Sequence, residues 1–106
     1  MPEQYLLHIL PEASSDLVHI FEFIKQDSPQ NADSMIRQLF EAIDSLDRFP
    51  HRARVHLSAK KPDRIVHSMT VAPFLIYYRI LETDHVVEVL TIRHGARRQP
   101  RRFKGR

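Results

Sequence analysis

Two apolar helical stripes, separated by only a few residues, constrain the fold of this chain more than any other feature. In the first stripe the apolar residues recur at i, i+4, i+7, i+8 and i+11: Ala13, Leu17, Ile20, Phe21 and Ile24. The second stripe has the same helical spacing and runs up to Phe49 and Pro50: Ala32, Met35, Ile36, Leu39, Phe40, Ile43 and Leu46. Because the link between them is short, the two helices must form an antiparallel hairpin with both stripes facing the same way. Such a hairpin needs a sheet to cover.

Polar residues and proline mark the ends of these helices. Ser14 or Ser15 can cap the first helix, and Asp16 then lies in its first turn, where the helix dipole favours a negative charge. Ser28 and Pro29 end the first helix and start the second, because the residue before proline is pushed out of helical geometry and proline suits the first helical position. The sequence therefore predicts a tight connection between the two helices.

The second half of the chain reads as a sheet. Residues 64–71, 74–81 and 86–93 alternate in polarity or are rich in β-branched and aromatic residues, and short links join them as antiparallel strands. A first short strand is predicted at residues 5–10, and residues 51–63 are predicted to form a polar loop. The order β-α-α-β-β-β predicts an α+β fold, with a helical hairpin packed on one face of a mostly antiparallel β-sheet.

The composition fits one domain without a cofactor. The chain has 106 residues, of which 42% are hydrophobic and 27% charged, and the absence of cysteine excludes disulfides and thiolate metal sites. No histidines and carboxylates stand at the spacing of a metal site, so no metal and no cofactor are predicted. No apolar run approaches the ~18 residues that a membrane span needs, and no signal peptide is evident. We therefore expect a cytoplasmic protein.

Positive charge is concentrated towards the C-terminus. Residues 93–106 hold seven of the 16 lysine and arginine residues and no acid, which leaves the rest of the chain acidic. The sequence thus predicts a domain at residues 1–98 and a basic tail at residues 99–106. A surface that binds a polyanion or an acidic partner is one interpretation of this end, and a solvated tail is the other.

His94 lies at the predicted end of the last strand, between Arg93 and Arg97. An imidazole there could act as a general acid or base near neutral pH, and the flanking guanidinium groups could hold a phosphate, which is what metal-free RNA cleavage requires. The alternative is that His94 and Gly95 only terminate the strand, and we favour this second interpretation.

The neighbouring predicted strand places Tyr77 and Arg79 on one face, because successive residues of a strand point to opposite sides. The helices are expected to cover the other, more apolar face: Phe74, Ile76, Tyr78 and Ile80. Tyr77 and Arg79 are then predicted to be exposed. An aromatic side chain beside cations is typical of a nucleic-acid surface, and it also occurs on ordinary exposed sheet faces.

Four segments follow one another in a distinctive order: DLVHIFEFI, DSPQNADSMIRQLFEAIDSLDRFPH, VAPFLIYYRI and VVEVLTIRHGAR. In their order and spacing they resemble the RelE/ParE superfamily of type II toxins, and within it the ParE-like plasmid-stabilisation branch. The resemblance runs from about residue 5 to residue 98 and implies the fold derived above. It also implies a cognate acidic antitoxin, whose C-terminal segment wraps the toxin and neutralises it.

The resemblance implies one function in each branch. In the ParE branch it implies an inhibitor of DNA gyrase, which is the function we predict; in the RelE branch it implies a ribosome-dependent mRNA endonuclease. Arg79, Arg93 and His94 could correspond to part of the nuclease set, but no tyrosine follows Tyr78, which weakens the nuclease interpretation. A degenerate member that only binds its antitoxin is a third alternative. The residues predicted to contact target or partner are Tyr77, Arg79, Arg93, His94, Arg97 and Arg98.

Overall fold

In a computed structural model of the chain, the described residues, 4–96, fold into two α-helices and five β-strands. The elements are β1 (Leu6–Ile9), α1 (Pro11–Lys25), α2 (Pro29–Asp44), β2 (Arg54–Leu57), β3 (Val66–Val71), β4 (Phe74–Leu81) and β5 (Val86–His94). No helix within residues 4–96 is long and apolar enough to cross a membrane. The predicted domain boundary after residue 98 and the basic tail beyond it lie outside the described residues.

α1 begins earlier than the sequence predicts. Pro11 is its first residue, so neither Ser14 nor Ser15 caps the helix. Proline is well placed there, because its fixed φ suits the first helical position and its missing N–H has no partner in the helix. Glu12 therefore takes the first-turn position that the sequence assigned to Asp16, and Asp16 lies one turn further on.

α2 begins where the sequence predicts. Ser28 precedes it in an extended conformation, and the Ser28 hydroxyl accepts a hydrogen bond from the Asn31 backbone N–H at 3.2 Å. Pro29 is the first helical residue, and a cap of this kind contributes about 1 kcal/mol to helix stability. The helical hairpin expected from the two apolar stripes is confirmed.

β5 lies inside the sheet, whose strand order is β1-β5-β4-β3-β2. β1 runs parallel to β5, and the other neighbouring pairs are antiparallel, which confirms the predicted mostly antiparallel sheet. β2 is an additional strand within residues 51–63, where the sequence predicts only a loop. It pairs with β3 alone, across an irregular register, and its side chains are exposed or half-buried. A short edge strand of this kind leaves no alternating pattern of polarity to detect.

The helical hairpin packs on one face of the sheet. The buried residues of this core come from both helices, the connecting segments and alternate positions of the strands: Tyr5, Ala13, Leu17, Met35, Leu39, Ile43, Leu46, Phe74, Ile76, Tyr78, Ile80, Val87, Val89 and Ile92. All four residues of β4 that were predicted to face the helices are among them. The helix-covered face of the sheet is therefore the predicted one.

A β-bulge at Leu90 changes the register of β5. Tyr77 pairs with Thr91, whereas the next residue, Tyr78, pairs with Val89, so Leu90 is an extra residue on β5. Directly paired residues of antiparallel strands lie on the same face of a sheet. Thr91 therefore shares the face of Tyr77, which is the face opposite the helices and is termed the open face below.

The open face is less exposed than the sequence predicts. Val66, Tyr77 and Leu90 form a small second core on it, with three half-buried leucines packed against them: Leu10, Leu57 and Leu75. Tyr77 is fully buried and Arg79 is only 6% exposed. The prediction that both are exposed is wrong, because alternation within a strand gives the face of a residue but not what covers that face.

Candidate functional site

The end of β5 is held by a carboxylate from α1. The parallel pairing of β1 with β5 extends as far as Val89. Beyond Val89, Asp16 of α1 provides the hydrogen-bond acceptor for β5. Its Oδ2 accepts hydrogen bonds from the Ile92 backbone N–H at 2.9 Å and from the Thr91 hydroxyl at 2.5 Å. One side-chain oxygen thus supplies the acceptor that a longer β1 would provide from its backbone.

Arg93 is oriented by Thr91 of β5 and Glu12 of α1. Its Nε donates a hydrogen bond to Thr91 Oγ1 at 3.2 Å, and its Nη2 lies 3.4 Å from Glu12 Oε2. Arg93 pairs with Leu75 of β4, so it lies on the open face, and its side chain is 40% exposed. Glu12, Thr91, Arg93 and His94 are termed the strand-end site.

His94 terminates β5 through local contacts. Its Nδ1 accepts a hydrogen bond from the Ala96 backbone N–H at 3.0 Å, and its ring meets Phe74 edge to face with 5.5 Å between the centroids. The Gly95 N–H donates to the Pro73 carbonyl at 2.7 Å, and a Cβ on Gly95 would lie only 3.2 Å from that oxygen. Because a ring nitrogen that accepts a hydrogen bond carries no proton, the neutral imidazole has its proton on Nε2. The second ring nitrogen of His94 is then a donor and not a general base.

Tyr77 lies beside the strand-end site but below the surface. Burial raises the pKa of its hydroxyl, and the positive charge of Arg93 opposes that rise. The His56 ring of β2 packs on Tyr77 at a steep angle, with 4.8 Å between the centroids. His56 does not stand out in the sequence, because residues 51–63 read as a polar loop there. His56, Tyr77 and Arg93 bring an imidazole, a phenol and a guanidinium to the open face.

The other predicted contact residues are not part of this arrangement in the described structure. Arg79 is paired directly across the strands with Glu88, and both side chains are buried. Burial lowers the pKa of Arg79, as does the neighbouring charge of Arg64, whereas Glu88 raises it. Arg97 and Arg98 lie outside residues 4–96. Of the predicted residues within 4–96, Arg93 and His94 reach the surface, but on opposite faces of the sheet, because Arg93 pairs with Leu75 and His94 with Phe74.

A groove on the helical hairpin exposes apolar side chains. It has a volume of about 480 Å³ and is lined by residues of β1, α1 and α2: Ile9, Ser14, Leu17, Val18, Phe21, Glu22, Ile36 and Phe40. Val18 is 58% exposed and Phe40 is 41% exposed. Large apolar side chains gathered in a groove indicate a docking surface for another chain, and an amphipathic helix fits such a groove. This surface is termed the helix groove.

A half-buried histidine of β3, His67, stacks on the core on the helix-covered face of the sheet. The rings of His67 and Tyr78 are nearly parallel, with 5.3 Å between the centroids, and His67 Nδ1 lies 3.4 Å from the Ala53 carbonyl oxygen. The Tyr78 hydroxyl donates to the Pro50 carbonyl at 2.5 Å, and burial raises the pKa of Tyr78 to about 12. Burial lowers the pKa of His67, which keeps this ring neutral at neutral pH.

Acidification is expected to lower the stability of the fold through His67. Since its folded pKa lies below the unfolded value of about 6.5, the unfolded chain binds more protons, and stability is lost as pH falls through that value towards the folded pKa. Denaturant unfolding measures the free energy of unfolding at pH 7.5 and at pH 5.5. The decrease between the two pH values should be smaller for His67→Gln than for the wild type. His19→Gln, on the exposed side of α1, should keep the wild-type loss. An unchanged loss in His67→Gln would assign the acid sensitivity to another group.

Comparisons with known proteins agree with one another. A family model for the ParE toxin of the type II toxin–antitoxin system parDE matches residues 7–99. Toxin RelE2 of Caulobacter vibrioides is 34% identical over 85 residues, which cover 80% of this chain and 89% of that protein. The chromosomal ParDE system from P. aeruginosa contains a chain with a TM-score of 0.66 and 18% identity, with coverage of 86% of this chain and 96% of that chain. The archaeal RelE–RelB complex from Pyrococcus horikoshii OT3 contains a chain with a TM-score of 0.64 and 17% identity. The match covers 90% of this chain and 99% of that chain. At these identities the two structures establish the shared fold.

Proposed function

The chain belongs to the ParE toxin family, within the RelE/ParE superfamily of type II toxins, and from this premise we propose that it inhibits DNA gyrase and is neutralised by a cognate acidic antitoxin. The toxin acts by binding its target and not by cutting RNA. The strand-end site supplies contacts to the target, and the helix groove receives the antitoxin.

The hydrogen bond that His94 accepts is the observation that favours gyrase inhibition over RNA cleavage as the proposed function. A general base needs an unprotonated nitrogen that can reach the substrate, but Nδ1 of His94 accepts the Ala96 N–H and the ring packs against Phe74. Arg79, the second candidate of the nuclease set, is buried beside Glu88. These arrangements suit a structural role for His94 and leave Arg93 as the exposed cation of the site.

The helix groove supports the proposed antitoxin. Its exposed apolar residues match the apolar face of a short amphipathic helix, and the archaeal structural relative is a RelE–RelB complex. β1, at the sheet edge with Leu6 71% exposed, offers a second mode of contact through an added strand. Apolar burial sets the affinity, and the basic residues 97–106 attract the acidic side chains of the antitoxin and speed its association.

One observation favours the mRNA endonuclease as the second candidate. His56, Tyr77 and Arg93 share the open face, and the relative from Caulobacter vibrioides carries the name RelE2. In this alternative His56 provides the acid–base group that His94 lacks, and Arg93 holds the phosphate.

Induction of the toxin without its antitoxin separates the two candidates. We expect growth arrest with DNA-damage signalling and filamentation while protein synthesis continues at first, and the purified protein should inhibit supercoiling by gyrase. Immediate loss of translation, with mRNA cleaved on ribosomes, would identify the endonuclease instead. Unimpaired growth, with the antitoxin still bound, would identify a member that only binds its antitoxin.

Two variants of the strand-end site refine this experiment. Arg93→Ala should weaken gyrase inhibition about tenfold or more, because it removes the exposed cation. His94→Gln should keep most of the inhibition, since a loss of about 10²–10⁴-fold is expected only where proton transfer is removed. A folded but inactive His94→Gln protein beside an active Arg93→Ala protein would reverse this assignment.

A further inference from the structure

The guanidinium of Arg93 is held on two sides, by Thr91 on the inner side and by Glu12 on the outer side. Nε donates to Thr91 Oγ1 at 3.2 Å, and the Thr91 hydroxyl in turn donates to Asp16 at 2.5 Å. Thr91 is 1% exposed, so the hydroxyl that links the two side chains is sheltered from water. It holds the guanidinium from the inner side through Nε, and this contact does not involve Glu12.

The outer contact, to Glu12, is longer and partly open to solvent. Arg93 Nη2 lies 3.4 Å from Glu12 Oε2, and the two side chains are 40% and 27% exposed. A strong arginine–carboxylate pair has two parallel and shorter hydrogen bonds. Partly exposed ion pairs with one long contact contribute little to stability and exchange readily with other ligands.

We propose that Glu12 is a built-in competitor at an oxyanion site whose cation is Arg93. The site takes a carboxylate or a phosphate group, and either must displace Glu12 before it can bind. Because Thr91 and Asp16 keep the guanidinium in place, displacement exposes a cation that is already oriented and needs no further ordering. This inference deepens the proposed function, on which it rests for the use of Arg93 as a contact residue.

The size of the effect follows from the weakness of the contact. Since a partly exposed ion pair is the competitor, its removal should tighten oxyanion binding about two- to fivefold. The presence of Glu12 therefore lowers affinity for isolated anions without abolishing it. A partner that brings several contacts is affected less, so Glu12 selects against small anions and in favour of an extended ligand.

The test is a titration of the full chain followed through the NMR signal of the Arg93 Nε–H group. Sodium phosphate and sodium acetate serve as separate probes, so their relative affinities show whether the site prefers a phosphate or a carboxylate. In Glu12→Gln we expect the dissociation constant at Arg93 to fall about two- to fivefold. Glu22→Gln, on the same helix, removes the same charge at a distance from Arg93 and should leave the constant unchanged.

A third variant tests the inner contact. Thr91→Val removes the oxygen that accepts from Nε, and it should weaken oxyanion binding even when combined with Glu12→Gln. Equal constants in Glu12→Gln and Glu22→Gln, or an Arg93 signal that does not respond to either probe, would overturn the inference. The titration does not depend on gyrase: a positive result stands if the toxin proves to be an endonuclease, and a negative result leaves gyrase inhibition intact.

Discussion

Replacement of Asp16 with alanine is expected to lower the free energy of unfolding by about 2–4 kcal/mol, the largest loss of stability that we predict for a polar side chain here. The substitution leaves the Thr91 hydroxyl and the Ile92 N–H without the oxygen that accepts both. Both groups belong to buried residues, with Thr91 1% and Ile92 3% exposed, so water cannot easily replace the lost acceptor. Each buried donor left unsatisfied costs about 1–3 kcal/mol. For a domain of this size the loss should appear as a melting temperature lower by roughly 10–20 °C.

Two further variants separate the hydrogen bonds from other effects of the substitution. Asp16→Asn can place its carbonyl oxygen where Oδ2 lies and should lose much less stability than Asp16→Ala. In a Thr91→Val background one of the two donors is gone, so Asp16→Ala should cost less than it does in the wild type. If Asp16→Ala and Asp16→Asn melt together near the wild type, Asp16 does not hold the end of β5.

A negative charge in the helix groove is expected to weaken antitoxin binding about 100-fold or more. Val18 is 58% exposed in the free toxin and lines the groove, so Val18→Asp should fold normally. In the complex the new carboxylate would be buried against an apolar helix without a partner, which costs several kcal/mol. A loss of about 2.7 kcal/mol already corresponds to 100-fold. Calorimetry with the purified antitoxin gives the affinity, and loss of growth rescue by the co-expressed antitoxin gives the effect in cells.

Phe23→Asp is the matched control for this experiment. Phe23 also lies on α1 and is 71% exposed, but it does not line the helix groove. The Phe23→Asp toxin should therefore bind the antitoxin with an affinity within a few-fold of that of the wild type. If both variants bind equally well, the antitoxin docks elsewhere; if both lose binding, the apolar surface of α1 outside the groove takes part.

The helical hairpin could be predicted from the sequence because its causes are local. Apolar spacing defines the stripes, and Ser28 with Pro29 sets the start of α2 by a hydrogen bond that spans three residues. The alternation of β4 likewise gave the correct helix-covered face. Where the cause lies far away in the chain, prediction failed: Asp16 looked like a first-turn acid, yet its hydrogen-bond partners are Thr91 and Ile92.

The candidate site could be predicted only in part, for the same reason. Arg93 and His94 stand out in the sequence as charged residues at a strand end. Their environment depends on the bulge at Leu90 and on the start of α1, which bring Thr91 and Glu12 to Arg93. The bulge leaves no pattern in the sequence, and Pro11, which signals the start of α1, does not reveal which residue Glu12 contacts, so both contacts of the guanidinium emerge only from the folded chain.

The place of β5 between β1 and β4 has a consequence for the newly made toxin. Leu6 of β1 pairs with Val86 of β5, so translation must reach the far end of the domain before the first strand finds its neighbour. Pairing across so long a stretch raises the contact order of the fold, which slows its completion. Until residues 86–94 have emerged, Arg93 and its supporting contacts do not exist, whereas every residue that lines the helix groove has already been synthesised. On the proposed assignment of the two surfaces, the residues of the antitoxin surface are therefore synthesised before those of the strand-end site.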